Sequence, residues 1–118
     1  MGLELRREFS CGVELALAIV GGKWKPVILA HLKEGPMRYG DLRRAIPRLS
    51  DKMLAQRLRE LEASGLVTRR KRGGRGARSV YALTTRVQAL RPALAALNAW
   101  GTKMAVEVGA RIVSPARD

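Results

Sequence analysis

Basic side chains concentrate in one third of the 118-residue sequence. Between Arg38 and Arg78 there are 13 lysines and arginines against 4 acidic residues, whereas the whole chain has 23 against 10. Like charges repel, so clustering them does not stabilise the fold, but it does strengthen binding to a polyanion. Because the cations fall on neighbouring segments, the pattern favours a nucleic acid as the partner. A solvated surface is the alternative for any one short run.

A predicted amphipathic helix, Asp51 to Ser64, carries hydrogen-bond donors on its outer face. Its leucines recur at i, i+4 and i+7 from Leu54 and define a buried stripe. At 100° per residue, Lys52, Gln56 and Arg59 lie about 140–200° around the helix from Leu54. Lysine and arginine donate to guanine and glutamine pairs with adenine in the major groove, which admits an α-helix. The predicted DNA contacts of this helix are Ser50, Lys52, Met53, Gln56, Arg57 and Arg59.

These residues differ in their predicted roles. Lys52 and Gln56 lie nearest the start of the helix and are the predicted base readers, whereas Arg59 is expected to meet the DNA backbone. Ser50 is the predicted N-cap, and its position also allows a phosphate contact. The alternative is an ordinary surface helix, in which two arginines pair with the acids that follow them. Those pairs would join Arg57 and Arg59 to Glu60 and Glu62.

An arginine-rich β-hairpin is predicted directly after this helix. Val67–Arg72 and Arg78–Thr84 read as strands, with a turn that contains three glycines, and residues 69–83 include no acid. The glycines allow the backbone to approach a phosphate or a minor groove closely. A solvated loop is again the alternative. The predicted DNA contacts of the hairpin and its flank are Arg38, Arg69, Arg70, Arg72, Arg75 and Arg78.

The remaining segments read as helices that position this basic surface. Val13–Val20 is apolar on nearly every side, so it needs covering on more than one side, and a second subunit could supply that cover. Helices are also predicted at Trp24–Leu32 and Tyr39–Ala45, and a final run at Thr85–Val108 has a kink or break at Pro92. A short helix, a turn and a capped helix make a helix-turn-helix, and the basic hairpin is its wing. The predicted fold is therefore mainly α with a small β-hairpin, a winged helix-turn-helix.

Catalytic and metal chemistry find little support in the sequence. One histidine and one cysteine cannot form a zinc site within one chain, and no nucleophile–base pair or phosphate-binding loop is present. We therefore expect no enzyme activity, no metal and no cofactor. A single cysteine excludes an intrachain disulfide and suggests a reducing compartment. No leader or membrane-spanning stretch is visible, so a cytoplasmic, nucleoid-associated protein without membrane contact is expected.

The sequence resembles the HxlR family of bacterial winged-helix transcription regulators, relatives of the MarR type. The motifs that carry the resemblance are "GGKWK" at 21–25, "IPRLSDKML" at 46–54 and "QRLRELE" at 56–62, within a similar stretch at 11–101. The resemblance implies a homodimer joined through its N- and C-terminal helices, bound to a pseudo-palindromic DNA operator. We expect a flexible segment at 1–10, the winged domain with its dimerisation helices at 11–108, and a tail at 109–118. The predicted interface residues are Val13, Leu17, Leu97, Trp100 and Met104.

Cys11 lies just before the apolar first helix, where the helix N-terminus favours a thiolate. Several members of the family sense oxidants, quinones or aldehydes through a cysteine at this position. The resemblance therefore implies that Cys11 is a sensor of an oxidant or small-molecule effector, and an inert, half-buried thiol is the alternative.

A different class of function is a non-enzymatic RNA-binding or ribosome-associated basic protein, which the charge allows. The chain has only one Phe, two Tyr and two Trp for base stacking, and none lies on the outward face of the helix at 51–64. The sequence therefore favours double-stranded DNA over RNA.

Overall fold

The computed structural model describes residues 7–72 and 78–113, except for the side chains of Arg72 and Arg78. The predicted turn glycines of the wing and Arg75 lie outside the described residues. Within them the fold is mostly helical, with a small antiparallel sheet, and the predicted winged helix-turn-helix is confirmed. The elements are α1 (Gly12–Val20), α2 (Lys25–Leu32), β1 (Met37–Arg38), α3 (Tyr39–Ala45), α4 (Asp51–Ala63), β2 (Val67–Arg72), β3 (Arg78–Leu83), α5 (Thr85–Gln88) and α6 (Arg91–Val108).

One apolar core lies among α2, α3, α4 and the sheet. The predicted leucine stripe of α4 is confirmed, because Leu54, Leu58 and Leu61 are all at most 2% exposed. The same core cluster contains buried residues of α2, α3, β2 and the loop before α4, and the described residues include no buried polar or charged side chain. This packing fixes which face of α4 remains in solvent. The other fully buried residues are Ile28, Leu29, Leu32, Leu42, Leu49, Leu66 and Val67.

Both ends of α4 are closed by local hydrogen bonds. The Ser50 hydroxyl accepts a bond from the Met53 amide at 3.0 Å, which confirms the predicted N-cap. At the other end, Gly65 has a φ of +76°, and the Leu66 amide donates to the Leu61 carbonyl at 2.9 Å. The Gly65 amide also donates to the Glu62 carbonyl at 3.0 Å, and these two bonds define a Schellman stop. The helix thus ends at Ala63, one residue before the predicted end.

The sheet has three strands, in the order β1-β3-β2, and all pairs are antiparallel. β1 has only two residues and was not predicted. It places Arg38 opposite Val80 on β3, and Arg70 on β2 pairs with the same valine from the other side. The sheet therefore brings two arginines that are distant in sequence into one row.

The predicted break in the C-terminal helix is confirmed, but it lies before Pro92. The helix stops at Gln88 and resumes at Arg91, so Pro92 falls in the first turn of α6. Proline cannot donate to the carbonyl four residues earlier, and its ring clashes with that carbonyl. The residue four positions before Pro92 is Gln88, where α5 ends.

Apolar residues of α1 and α6 remain outside the core. None of the nine residues of α1, all of them described, is buried, and Val13 and Leu17 are 67% and 61% exposed. On α6, Leu94 and Ala105 are buried, whereas Leu97 and Trp100 are exposed. Among the described residues, no helix has both the length and the apolar character needed to cross a membrane.

Candidate nucleic-acid interface

A polar cluster from α3 holds the N-terminal end of α4. The Tyr39 hydroxyl lies 2.9 Å from the Asp51 carbonyl and 2.5 Å from its carboxylate, to which it donates. Arg43 reaches the same carboxylate through Nε at 3.2 Å and donates from Nη1 to the Leu49 carbonyl. Partial burial, followed by the hydrogen bond to Asp51, raises the pKa of Tyr39 to about 12. These bonds fix the angle between the two helices of the motif.

The outer face of α4 carries two exposed cations. Lys52 and Arg59 are both exposed and lie on the side opposite Leu54 and Leu58. Gln56 lies between them and is half-buried, with its Nε2 donating to Glu60 Oε2 at 3.3 Å. The face therefore offers cationic and amide donors at the spacing of successive turns, which can reach base edges and phosphates.

Two other predicted contacts of α4 are turned toward the protein. Met53 packs against the core cluster. The Arg57 side chain is 19% exposed, donates from Nε to the Lys23 carbonyl at 3.1 Å and pairs with Glu60 at 2.7 Å. The pairing of Arg57 with Glu60 that the surface-helix alternative predicted is thus present. The position of Arg57 on the helix does not predict its contact with Lys23, because Lys23 lies 34 residues away in sequence.

The described part of the wing extends this cationic surface. Arg69, Arg70 and Lys71 on β2 are exposed. Arg38 on β1 is 58% exposed and lies 3.7 Å from Asp41, a partner that sequence reasoning did not assign. Like the charges on α4, these cations suit phosphate contacts, which depend on charge more than on exact geometry. The placement of Arg72, Arg75 and Arg78 toward DNA stays a prediction.

Cys11 is a free, exposed thiol at the N-cap of α1. The nearby backbone amides of Glu14 and Val13, at the N-terminal end of α1, lower the pKa of the thiol. The inert alternative assumed a half-buried thiol, whereas in the structure the thiol is exposed. The described residues also contain no group of three or more His, Cys, Asp or Glu that could hold a metal ion.

Sequence reasoning missed two residues that support this surface, Tyr39 and Arg43, and it assigned Glu60 to Arg57 but not to Gln56. The bond from Gln56 to Glu60 could have been read from the sequence, because the two residues are four apart on one helix. The bonds of Tyr39 and Arg43 to Asp51 depend on the angle between two helices. No local pattern encodes that angle.

A capped helix with an exposed cationic face, held by α3 and followed by a basic hairpin, defines a winged helix-turn-helix protein. The chain belongs to the HxlR-like helix-turn-helix family, whose sequence model matches residues 19–108.

Relatives agree with that assignment. The sequence is 44% identical over 95 residues to the uncharacterized HTH-type transcriptional regulator YkvN of Bacillus subtilis (strain 168), with 80% of each chain covered. The fold is similar to that of the redox regulator HypR in its oxidized form, with a TM-score of 0.73 and 34% identity over 87% of this chain and 100% of that chain. It is also similar to the reduced form of the transcriptional regulator YodB from B. subtilis, with a TM-score of 0.66 and 32% identity, covering 80% and 94% of the two chains. The protein is therefore a transcriptional regulator of the helix-turn-helix type.

Proposed function

We propose that the protein binds a pseudo-palindromic operator in double-stranded DNA as a homodimer, without any enzymatic step. The observation that carries this proposal is the exposure of Lys52 and Arg59 on the side of α4 opposite its buried leucines. The exposed cations of β2 follow α4 in the chain and continue the same charge. In this arrangement α4 enters the major groove and the wing contacts the neighbouring backbone.

A dimer is supported by the uncovered apolar surface of α1 and α6. Trp100 is 64% exposed, a fraction similar to those of Val13, Leu17 and Leu97, and Met104 is half-buried on the face of α6 that carries Leu97 and Trp100. Exposed apolar residues on two helices that flank the core are typical of a protein–protein interface. Two subunits related by a twofold axis would hold two copies of α4 about 34 Å apart, one helical turn of DNA.

The two base readers in this proposal are Lys52 and Gln56. Both lie in the first half of α4, the end that the Tyr39 cluster holds. Arg59 and the wing cations contact phosphates, so they contribute affinity for every sequence and increase its salt dependence. Ser50 caps the helix through its hydroxyl oxygen, and the hydroxyl hydrogen remains available to donate to a phosphate.

The test is to select DNA fragments from a random pool with the purified protein and then to titrate the preferred fragment. Lys52→Ala and Gln56→Ala should each cost about 1–3 kcal/mol of discrimination at a particular base pair. Arg111→Ala is the matched control, because it removes an exposed cation outside α4 and the wing. Neutral behaviour of both variants on the selected site would contradict the assignment of readers.

Competition separates this proposal from its alternative. Unlabelled duplex DNA should displace the labelled fragment, whereas single-stranded RNA of the same length should not. Preferential displacement by RNA would favour the RNA-binding function instead.

We also propose that Cys11 makes DNA binding responsive to an oxidant or electrophile. The exposed thiol with its lowered pKa supports this, as does the similarity to the redox regulator HypR. Mild oxidation should change the affinity of the wild-type protein for its operator, and Cys11→Ser should abolish the change. An identical response in Cys11→Ser would contradict a sensor role.

A further inference from the structure

Glu60 divides its two carboxylate oxygens between different partners. Oε1 lies 2.7 Å from Arg57 Nη1 and 3.4 Å from Lys25 Nζ. Oε2 accepts a hydrogen bond from Gln56 Nε2 at 3.3 Å. The two cations hold one oxygen, so the other is directed at the amide of the residue proposed to read a base.

Glu60 remains an anion at neutral pH. Partial burial alone would raise its pKa, but hydrogen bonds from Arg57 and Gln56, together with the charge of Lys25, lower it below the usual value. An ionised carboxylate can only accept hydrogen bonds. The atom of Gln56 that faces Glu60 must therefore be the amide nitrogen and not the oxygen.

This orientation leaves a defined pattern on the groove side of Gln56. One of the two Nε2 hydrogens is used by Glu60, so the amide presents one acceptor, Oε1, and one remaining donor. Adenine offers the complementary pair, a donor at N6 and an acceptor at N7. Guanine offers two acceptors, O6 and N7, and would need two donors from the amide.

We propose that Glu60 is a specificity-determining positioning residue, which fixes the amide of Gln56 so that the protein selects adenine over guanine. This inference rests on the proposed function, because it assumes that Gln56 reads a base. Glu60 itself acts through Gln56 and touches no base. Arg57 and Lys25 hold the Glu60 carboxylate in place, and Arg57 is itself held by its hydrogen bond to the Lys23 carbonyl.

The test measures base preference in place of overall affinity. The Gln56→Ala profile over all single-base changes of the selected operator first locates the position that Gln56 reads. At that position the preference of wild type for adenine over guanine should fall about fivefold in Glu60→Gln, the size expected for one hydrogen bond. This substitution keeps the size of the side chain, but the new amide can donate as well as accept, so it no longer fixes the amide of Gln56.

Glu62→Gln is the matched control, because it makes the same chemical change at an exposed position of the same helix. Both substitutions remove one negative charge near DNA, so both should raise affinity for all sequences to a similar degree. Only Glu60→Gln should change the ratio of adenine to guanine. Thermal unfolding of each variant, with Glu60→Ala as a second substitution, shows whether any loss of preference comes from loss of folded protein.

The double variant Gln56→Ala with Glu60→Gln distinguishes the mechanism. If Glu60 acts through Gln56, the double variant should have the same preference as Gln56→Ala alone. A further loss of the preference for adenine in the double variant would overturn the inference. So would an unchanged ratio of adenine to guanine in Glu60→Gln, if Gln56→Ala removes that preference. Selection of a base other than adenine at that position would also overturn it, with Gln56 still a reader. If Gln56→Ala is neutral at every position, the proposed role of Gln56 fails first, and the inference fails with it.

Discussion

Arg57 on α4 donates a hydrogen bond from Nε to the main-chain carbonyl of Lys23 at 3.1 Å. The bond ties the proposed DNA-reading helix to the loop between α1 and α2. In that loop Trp24 has a φ of +77°, a left-handed conformation that costs a non-glycine residue about 1–2 kcal/mol. The Trp24 side chain packs against the core, which helps to hold this conformation. The loop that follows the exposed helix α1 is thus linked to α4 by a direct hydrogen bond.

Substitution of two arginines on α4 should separate a structural role from a DNA-binding role. Arg57→Ala removes hydrogen bonds to the Lys23 carbonyl and to Glu60, so we expect about 1–3 kcal/mol less stability in urea unfolding. Arg59→Ala removes an exposed cation and should stay within about 0.5 kcal/mol of wild type. On DNA, Arg59→Ala should weaken binding to all sequences and flatten the salt dependence. Equal stabilities of the two variants would contradict this division.

The sequence was sufficient for α4 because every determinant of that helix is local. Ser50 at the start, leucines at helical spacing and Gly65 at the stop all act within the helix or next to it. Its outward face then follows from geometry alone, and Lys52 and Arg59 are exposed where the helical spacing placed them.

Features that depend on contacts between distant segments were not predictable in the same way. β1 has two residues, too few for an alternating pattern, and it exists because Met37 and Arg38 pair with Tyr81 and Val80. The inward turn of Arg57 likewise depends on where the Lys23 carbonyl lies. Such contacts are set by tertiary packing, which can override any local preference.

The glycine stop of α4 provides a prediction about stability. Gly65 has a φ of +76°, so Gly65→Ala should destabilise the protein by about 1–2 kcal/mol in chemical unfolding. Gly12→Ala is the matched control, because Gly12 lies in α1 outside the left-handed region and a Cβ there meets nothing within 4 Å. That control should be neutral or stabilising, and a comparable loss in both variants would argue against the left-handed stop as the cause.

Tyr39 predicts a specific dependence of stability on pH. Its pKa in the folded protein is about 12, above the value of about 10 expected for the unfolded chain. The folded state therefore favours the neutral phenol, and this contribution is complete below about pH 10 and is lost as the pH rises through about 12. Wild type should be more stable than Tyr39→Phe at about pH 8, and the difference should shrink toward pH 12. Urea unfolding of both proteins measures it, and a constant difference would contradict the prediction.

The proposed dimer interface can be tested with two charge insertions on α6. Trp100 and Val106 are 64% and 84% exposed, but they lie about 120° apart around the helix, and only Trp100 shares a face with Leu97 and Met104. Trp100→Glu should bury a charge in the proposed interface and give the mass of one chain by light scattering, whereas wild type should give twice that mass. Val106→Glu adds the same charge on another face and should remain dimeric.

Because the proposed operator contacts two copies of α4, Trp100→Glu should also lose most of its affinity for the full site. Its affinity for an isolated half-site should be retained. If Trp100→Glu stays dimeric, the two helices meet their partner through a different face.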